Sequence, residues 1–203
     1  MKDSMKKKQM FIKISTFAAY VIVMLLMFQT RDFIGAIFAK DDSYEIRYEE
    51  PIGVTNQQKI YMLYKNGQYV EDADLNRLCL LDDQGNTDIR YCVLIKEARR
   101  LSYSIILGAM MLVVILIANS ASGGTPFTHK NAMRIRIIGG LQFALAVVPG
   151  LVAFLMNFFR FQYANLSFTL NGFYMFIIGF AIMVLAQVFD YGVKLQEDMD
   201  SIA

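Results

Sequence analysis

Few side chains in this chain have the types and spacing that chemistry requires. The only histidine, His129, stands beside Lys130, with Arg134 and Arg136 a turn or more further on, and the only two cysteines are Cys79 and Cys92. Nucleophilic or acid–base catalysis needs a base held by an orienting group, and no motif of that kind surrounds His129. One His and two Cys make no zinc ligand set of familiar spacing. Asp82, Asp83 and Asp88 lack the alternating ligands and closing Glu of a calcium loop, which favours a solvated turn. No catalytic, cofactor-binding or metal-binding residue is therefore assigned, and the reading is non-enzymatic. What remains is a covalent link between Cys79 and Cys92, and a basic contact through Lys130, Arg134 and Arg136.

Hydrophobicity sets the elements that must position these groups. Of the 203 residues 56% are hydrophobic and 19% charged, and the charges cluster, leaving apolar gaps that approach the roughly 18 to 20 residues needed to cross a hydrocarbon core. The net charge of +2 is too small and too scattered for direct nucleic-acid binding, which needs a concentrated basic stripe. Spans are expected at residues 10–28, 101–118, 137–159 and 170–189. The fold class expected is an all-α integral membrane protein, with four transmembrane helices and a small β-rich extracytoplasmic loop domain between helices 1 and 2.

Lys2, Lys6, Lys7 and Lys8 precede the first span and place residues 1–9 in the cytoplasm, because cytoplasmic segments retain Lys and Arg during insertion. That apolar run is longer than a signal-peptide core and no small-x-small cleavage site follows, so an uncleaved helix is expected. By parity, 29–100 and 160–169 lie outside, and 119–136 and 190–203 in the cytoplasm. Arg99 and Arg100 run against the charge rule, which long loops obey weakly.

From Arg31 to Arg100 the chain carries ten Lys or Arg against thirteen Asp or Glu. Asn66-Gly67 between aromatic and aliphatic runs predicts a hairpin, since both turn residues must accept positive φ, and it sets Tyr64 opposite Tyr69. Gly85-Asn86 suggests a second hairpin over 78–93. Counting outward from its turn pairs Cys79 with Cys92 at a non-hydrogen-bonded position, where a disulfide is feasible in an oxidising compartment. Such a link would contribute about 3 kcal/mol in the chain-entropy model. The alternative is two unpaired thiols.

Between the second and third spans, Gly123-Gly124 breaks a helix, Pro126 keeps Thr125 extended, and Thr128 is placed to cap a new helix by accepting from the backbone N–H near Asn131. At 100° per residue Lys130 and Arg134 share a face while Arg136 points away. These charges read either as anchors at a helix end or as a docking surface for an acidic partner or anionic headgroups. No ionisable residue falls in the centre of a span, which argues against proton relays and ion-coupled transport. Gln142 and Gln187, near the ends of spans three and four, are expected to hydrogen-bond across the helices. Pro149-Gly150 predicts a kink, Gly172, Gly179 and Ala181 allow close helix approach, and Asn165-Leu166-Ser167 fits a glycosylation acceptor.

Pro126, Phe127, Thr128, Asn131, Arg134, Arg136, Ile138 and Gly139, followed by Leu185 to Phe189, Gly192, Leu195 to Asp198 and Asp200, make a pattern in two halves around two spans. It resembles the bacterial four-helix membrane proteins of domain of unknown function family 2975, over roughly the second half of the chain. The family usually has a basic residue where this chain has Asp190. The resemblance implies a multi-pass protein of the bacterial inner membrane without known enzyme activity. Because such genes often neighbour one for a small helix-turn-helix regulator, it further implies a sensor or membrane-bound antagonist of that regulator. The partner-binding candidates are Thr128, Lys130, Asn131, Arg134, Arg136, Glu197 and Asp198, and the two halves are expected to meet. A small-molecule or lipid carrier acting as an oligomer is the alternative.

Overall fold

A computed structural model describes residues 2–49, 60–81, 85–122, 127–162 and 170–202. Four long helices dominate it: α1 (Lys2–Ile37), α3 (Ile89–Ser122), α4 (His129–Phe161) and α5 (Leu170–Ile202). Each contains a stretch long and apolar enough to cross a membrane. Between α1 and α3 lie β1 (Tyr44–Glu49), β2 (Ile60–Lys65), β3 (Gln68–Asp72) and the single turn α2 (Leu75–Leu78). The chain is thus a four-helix, membrane-type protein with a small antiparallel sheet between its first two long helices, as its sequence predicts.

The helices outrun the apolar stretches read from sequence. At 1.5 Å per residue the 34 residues of α3 extend about 50 Å, well beyond a hydrocarbon core of about 30 Å. Hydropathy marks where lipid can surround a helix, whereas caps and breakers mark where it starts and stops. In α3 the start is Asp88, whose Oδ1 accepts from the Tyr91 N–H at 2.9 Å. The helix α4 continues through Pro149.

The chain divides into two compact units. The first comprises Met1–Phe28, Ser102–Gly150 and Ser167–Ala203, and close approach at glycines organises it. A Cβ added at Gly139 would meet Met183 Cγ and Sδ at 2.9 Å and the Gly179 carbonyl oxygen at 3.3 Å, and one at Gly179 would meet the Phe143 ring at 3.2 Å. Small residues at such crossings let helix backbones approach where lipid gives no hydrophobic drive for association. Of the three small residues expected to serve this on α5, Gly179 is buried, Gly172 half-buried and Ala181 exposed.

The second unit, Gln29–Leu101 with Leu151–Leu166, holds the sheet, in the order β1-β2-β3 with both pairs antiparallel. Asn66 and Gly67 take φ values of 50° and 78° at the hairpin turn. Tyr64 faces Tyr69 in the expected register, the rings edge-on at 6.0 Å. Across the sheet Ile46, Leu63 and Glu71 stand opposite one another. Leu63 is fully buried in a core that includes Ala36, Tyr44, Leu78, Cys92, Val93 and Phe161. Strand β1 escapes the sequence reading, although Tyr44-Glu45-Ile46-Arg47-Tyr48-Glu49 alternates cleanly with period two.

The second hairpin and the disulfide are overturned. Residues 89–93 are the first turns of α3, not a strand. Cys79 is exposed, Cys92 is buried, and both are free thiols. Among the described residues of this region a bridge joins Leu81 to Thr87, and Cys92 stands in a helix, with no strand partner. Asp88 explains the difference: it ends the turn and caps a helix, and Cys92 N–H donates to its carbonyl at 3.0 Å. Asp82 and Asp83, the loop residues Gly123 to Pro126 and the Asn165-Leu166-Ser167 acceptor lie outside the described residues.

Candidate functional site

In the helical unit the polar side chains gather where α3 ends and α4 begins. Thr128 caps α4 as its type and position demand: its Oγ1 accepts from the Asn131 N–H at 3.2 Å. Asn131 is fully buried, a costly place for an amide unless its polar atoms are paired. Its Nδ2 donates to Ser120 Oγ at 3.0 Å and its Oδ1 accepts from Arg134 Nη1 at 2.8 Å. The same Arg134 nitrogen donates to the Leu116 carbonyl at 3.0 Å, satisfying a carbonyl near the end of α3. Asn119 Oδ1 accepts from Ser15 Oγ of α1 at 3.1 Å. Three hydrogen bonds between helices, Asn131 to Ser120, Arg134 to Leu116 and Ser15 to Asn119, thus tie α1, α3 and α4 together at one end.

A second contact joins the start of α4 to α5. Phe127 and Phe189 pack with ring centroids 5.2 Å apart. His129 Nδ1 lies 2.9 Å from Asp190 Oδ1, and its Nε2 lies 3.4 Å from Glu197 Oε1. The hydrogen bond that the imidazole donates to Asp190 raises its pKa above the ordinary 6.5, against a smaller loss from desolvation, and Glu197 adds to the rise. In return the His129 hydrogen bond lowers the Asp190 carboxyl. His129 is the first residue of a helix about 50 Å long, so it stands beyond the apolar stretch that starts at Ile137.

The two halves of the sequence pattern therefore touch, directly through Phe127 with Phe189, and through His129, between Thr128 and Asn131 of the first half, with Asp190 and Glu197. Of the seven residues proposed for partner contact, Asn131 is buried and serves the scaffold with Thr128 and Arg134. Lys130, Arg136, Glu197 and Asp198 are exposed. Local sequence does not single out His129, because its acidic partners lie more than sixty residues downstream; the spacing of the two halves of the pattern is the signal that points to it. Gln142 is buried on α4 and Gln187 exposed on α5, and no hydrogen bond joins them among the described residues. They occupy different environments, so the expected polar clamp does not form.

Beside the Asn131 scaffold is an open cavity of about 530 Å³. Leu116, Asn119 and Ser120 of α3 form one wall. Thr128, His129, Lys130 and Arg134 form the other. The shared face of Lys130 and Arg134 is the one on this cavity, while Arg136 is not among its lining. Among the described residues no group of three His, Cys, Asp or Glu gathers as metal ligands would.

In the β-containing unit, charges are paired instead of gathered. Glu71 of β3 takes both Lys96 and Arg100 of α3, the latter at 3.2 Å, and buried Glu97 takes the same two cations at 3.4 and 3.2 Å. Burial alone would raise the Glu71 carboxyl, but hydrogen bonds and charge from Lys96 and Arg100 outweigh it and hold the pKa below its ordinary value. Arg160 near the end of α4 closes on Asp88 Oδ2 at 3.0 Å. Among the described residues these charged groups are paired with one another.

Helices of this length and composition, with charge confined to their ends, define a multi-pass helical membrane protein. Residues 84–202 match a family model described as Protein of unknown function (DUF2975). That match covers more than half of the chain, and the chain belongs to this family. Comparison with curated proteins and with solved structures returned no match.

Proposed function

We propose that the protein is a non-enzymatic component of a bacterial inner membrane, with both termini cytoplasmic, acting as a sensor or membrane-bound antagonist of a small helix-turn-helix transcription regulator. The observation that carries this reading is the helical overhang of α5. Residues 190–202 continue the helix past its apolar stretch, about 20 Å at 1.5 Å per residue, and His129 ties that overhang to the start of α4. Exposed Lys130, Arg136, Glu197 and Asp198 then offer charges of both signs on fixed helix ends, a surface suited to holding a folded cytosolic partner. The β-containing unit, with its own core, is the part suited to perceiving an extracytoplasmic stimulus.

The carrier reading would need a polar path along the spans. Among the described residues the buried positions of the helical unit away from its polar end, such as Ile22, Ile106, Leu145 and Ala186, are apolar, with Gln142 the polar exception, and this favours the regulator. Co-purification of the tagged protein from membranes is expected to recover the regulator encoded beside it, and Glu197→Lys with Asp198→Lys to release it. No recovery, together with unchanged expression of the regulator's targets when the membrane protein is deleted, would reject the reading.

A further inference from the structure

The geometry points to the cavity between the end of α3 and the start of α4 as a binding site for a phosphate group, held by Lys130 and Arg134. Three observations on separate elements converge there. First, the cavity faces two cations that meet no counter-charge among the described residues. Arg134 donates to the Leu116 carbonyl and the Asn131 amide oxygen, both neutral, and Lys130 meets no carboxylate among the described residues. The nearby carboxylates of Asp190 and Glu197 are both turned to His129 instead. Two cations sharing a concave wall repel one another unless an anion lies between them.

Second, the donors are positioned before any ligand arrives. Arg134 uses Nη1 for the scaffold, which fixes the guanidinium plane and leaves its other nitrogens to point elsewhere, and a planar fork of this kind suits tetrahedral oxyanions. The neutral lining, Asn119, Ser120 and Thr128, is of the hydroxyl and amide type that completes a phosphate shell.

Third, the cavity lies where the apolar stretches of α3 and α4 stop. Leu116 is in its wall, exposed Met133 and Ile137 follow on α4, and this is the depth at which lipid phosphates lie. A phosphodiester of an anionic lipid, with its chains along Met133 and Ile137, meets both the charge and the apolar border. A free phosphate would meet the charge alone. The inference is independent of any regulator.

The test uses the full chain purified in neutral detergent. Native mass spectrometry would count bound phosphatidylglycerol against phosphatidylcholine, and thermal unfolding would be followed with and without inorganic phosphate. Lys130 is exposed and makes no hydrogen bond or ion pair among the described residues, so Lys130→Gln is expected to leave the fold intact. It is expected to lower phosphatidylglycerol retention about fivefold, the effect of one cation near an anionic headgroup, and Arg136→Gln, outside the cavity, to leave it unchanged. Lys130→Arg should restore retention. Stabilisation by inorganic phosphate that Lys130→Gln abolishes, without lipid preference, would assign the site to free phosphate. Equal losses in Lys130→Gln and Arg136→Gln would mean diffuse charge, and no response to either probe an empty site. Both results overturn the proposal.

Discussion

The two units of this molecule solve opposite problems of solvation. In the β-containing unit Leu63 is fully buried while the far side of the sheet shows Glu45, Arg47 and Tyr69 outward, the ordinary arrangement for a structure bathed in water. In the helical unit the order inverts: Phe17, Phe173 and Phe180 are 70%, 63% and 67% exposed, while Asn131 is buried. A hydrocarbon solvent accounts for the inversion, since it accepts aromatic surface freely and penalises unpaired amides. Stability in one unit should therefore come from burying side chains, and in the other from close backbone approach and satisfied polar contacts.

The sharpest way to break that contrast is to truncate one large apolar side chain in each unit. Leu63→Ala is expected to cost about 2 to 5 kcal/mol, the range for a fully buried leucine. Phe180→Ala should stay within about 0.5 kcal/mol, because detergent or lipid replaces what is removed. Thermal or denaturant unfolding of the purified chain compares them. A cost at Phe180 near that at Leu63 would show its face to be covered by protein, such as a second copy.

Backbone approach is tested by adding volume. Gly139→Val should cost about 1 to 3 kcal/mol: Met183 can swing aside, but the Gly179 carbonyl at 3.3 Å belongs to a helix backbone and cannot. Gly140, the next residue, has nothing within 4 Å of an added Cβ, so Gly140→Val should be far milder. Equal effects would mean that helix propensity, not contact, decides both.

The ion pairs of the two units should respond to pH differently. Glu71 has a folded pKa below its unfolded value, so its contribution is present above about pH 4.5 and is lost as pH falls through the folded pKa. Glu71→Gln should cost about 1 kcal/mol at neutral pH and flatten the acid limb of stability. His129 is raised, so its contribution is complete below about pH 6.5 and is lost as pH rises through the folded pKa. As the only histidine, it gives a single imidazole NMR signal. That signal should titrate above 6.5 in the native chain and fall back toward it in Asp190→Asn. An unshifted signal would break the link between α4 and α5.

Much of this was readable from sequence for identifiable reasons. Hydropathy located four spans because lipid demands long uncharged runs, Asn66-Gly67 placed one hairpin because its φ values restrict the residue type, and Thr128 announced a cap by chemistry that acts over three residues. What was not readable depends on partners distant in sequence. The pairing of His129 with Asp190 and Glu197 requires α5 to return alongside α4, and the buried Asn131 looks like any polar residue in a loop until Ser120 and Arg134 surround it. The segment from Leu78 to Val93 differs: a short apolar run flanked by turn residues suits strand or helix equally, and a period-two count competes there with the Asp88 cap.

That ambiguity leads to the smallest expected effect. Had Cys79 and Cys92 been joined, removing either would cost about 3 kcal/mol. With Cys79 exposed and Cys92 buried in the first turns of α3, Cys79→Ser should change stability by no more than about 0.5 kcal/mol, with or without reductant. Alkylation should reach Cys79 in the native protein and Cys92 only after unfolding. Alkylation of Cys79 should still be slow, because desolvation raises its thiol above the ordinary 9.0 and leaves little thiolate at neutral pH. A reductant-dependent loss of stability in the wild-type chain would restore the hairpin register. It would also require the first turns of α3 to unwind, and the Asp88 cap with them, so the same measurement decides whether a local cap or a covalent link fixes where the second long helix begins.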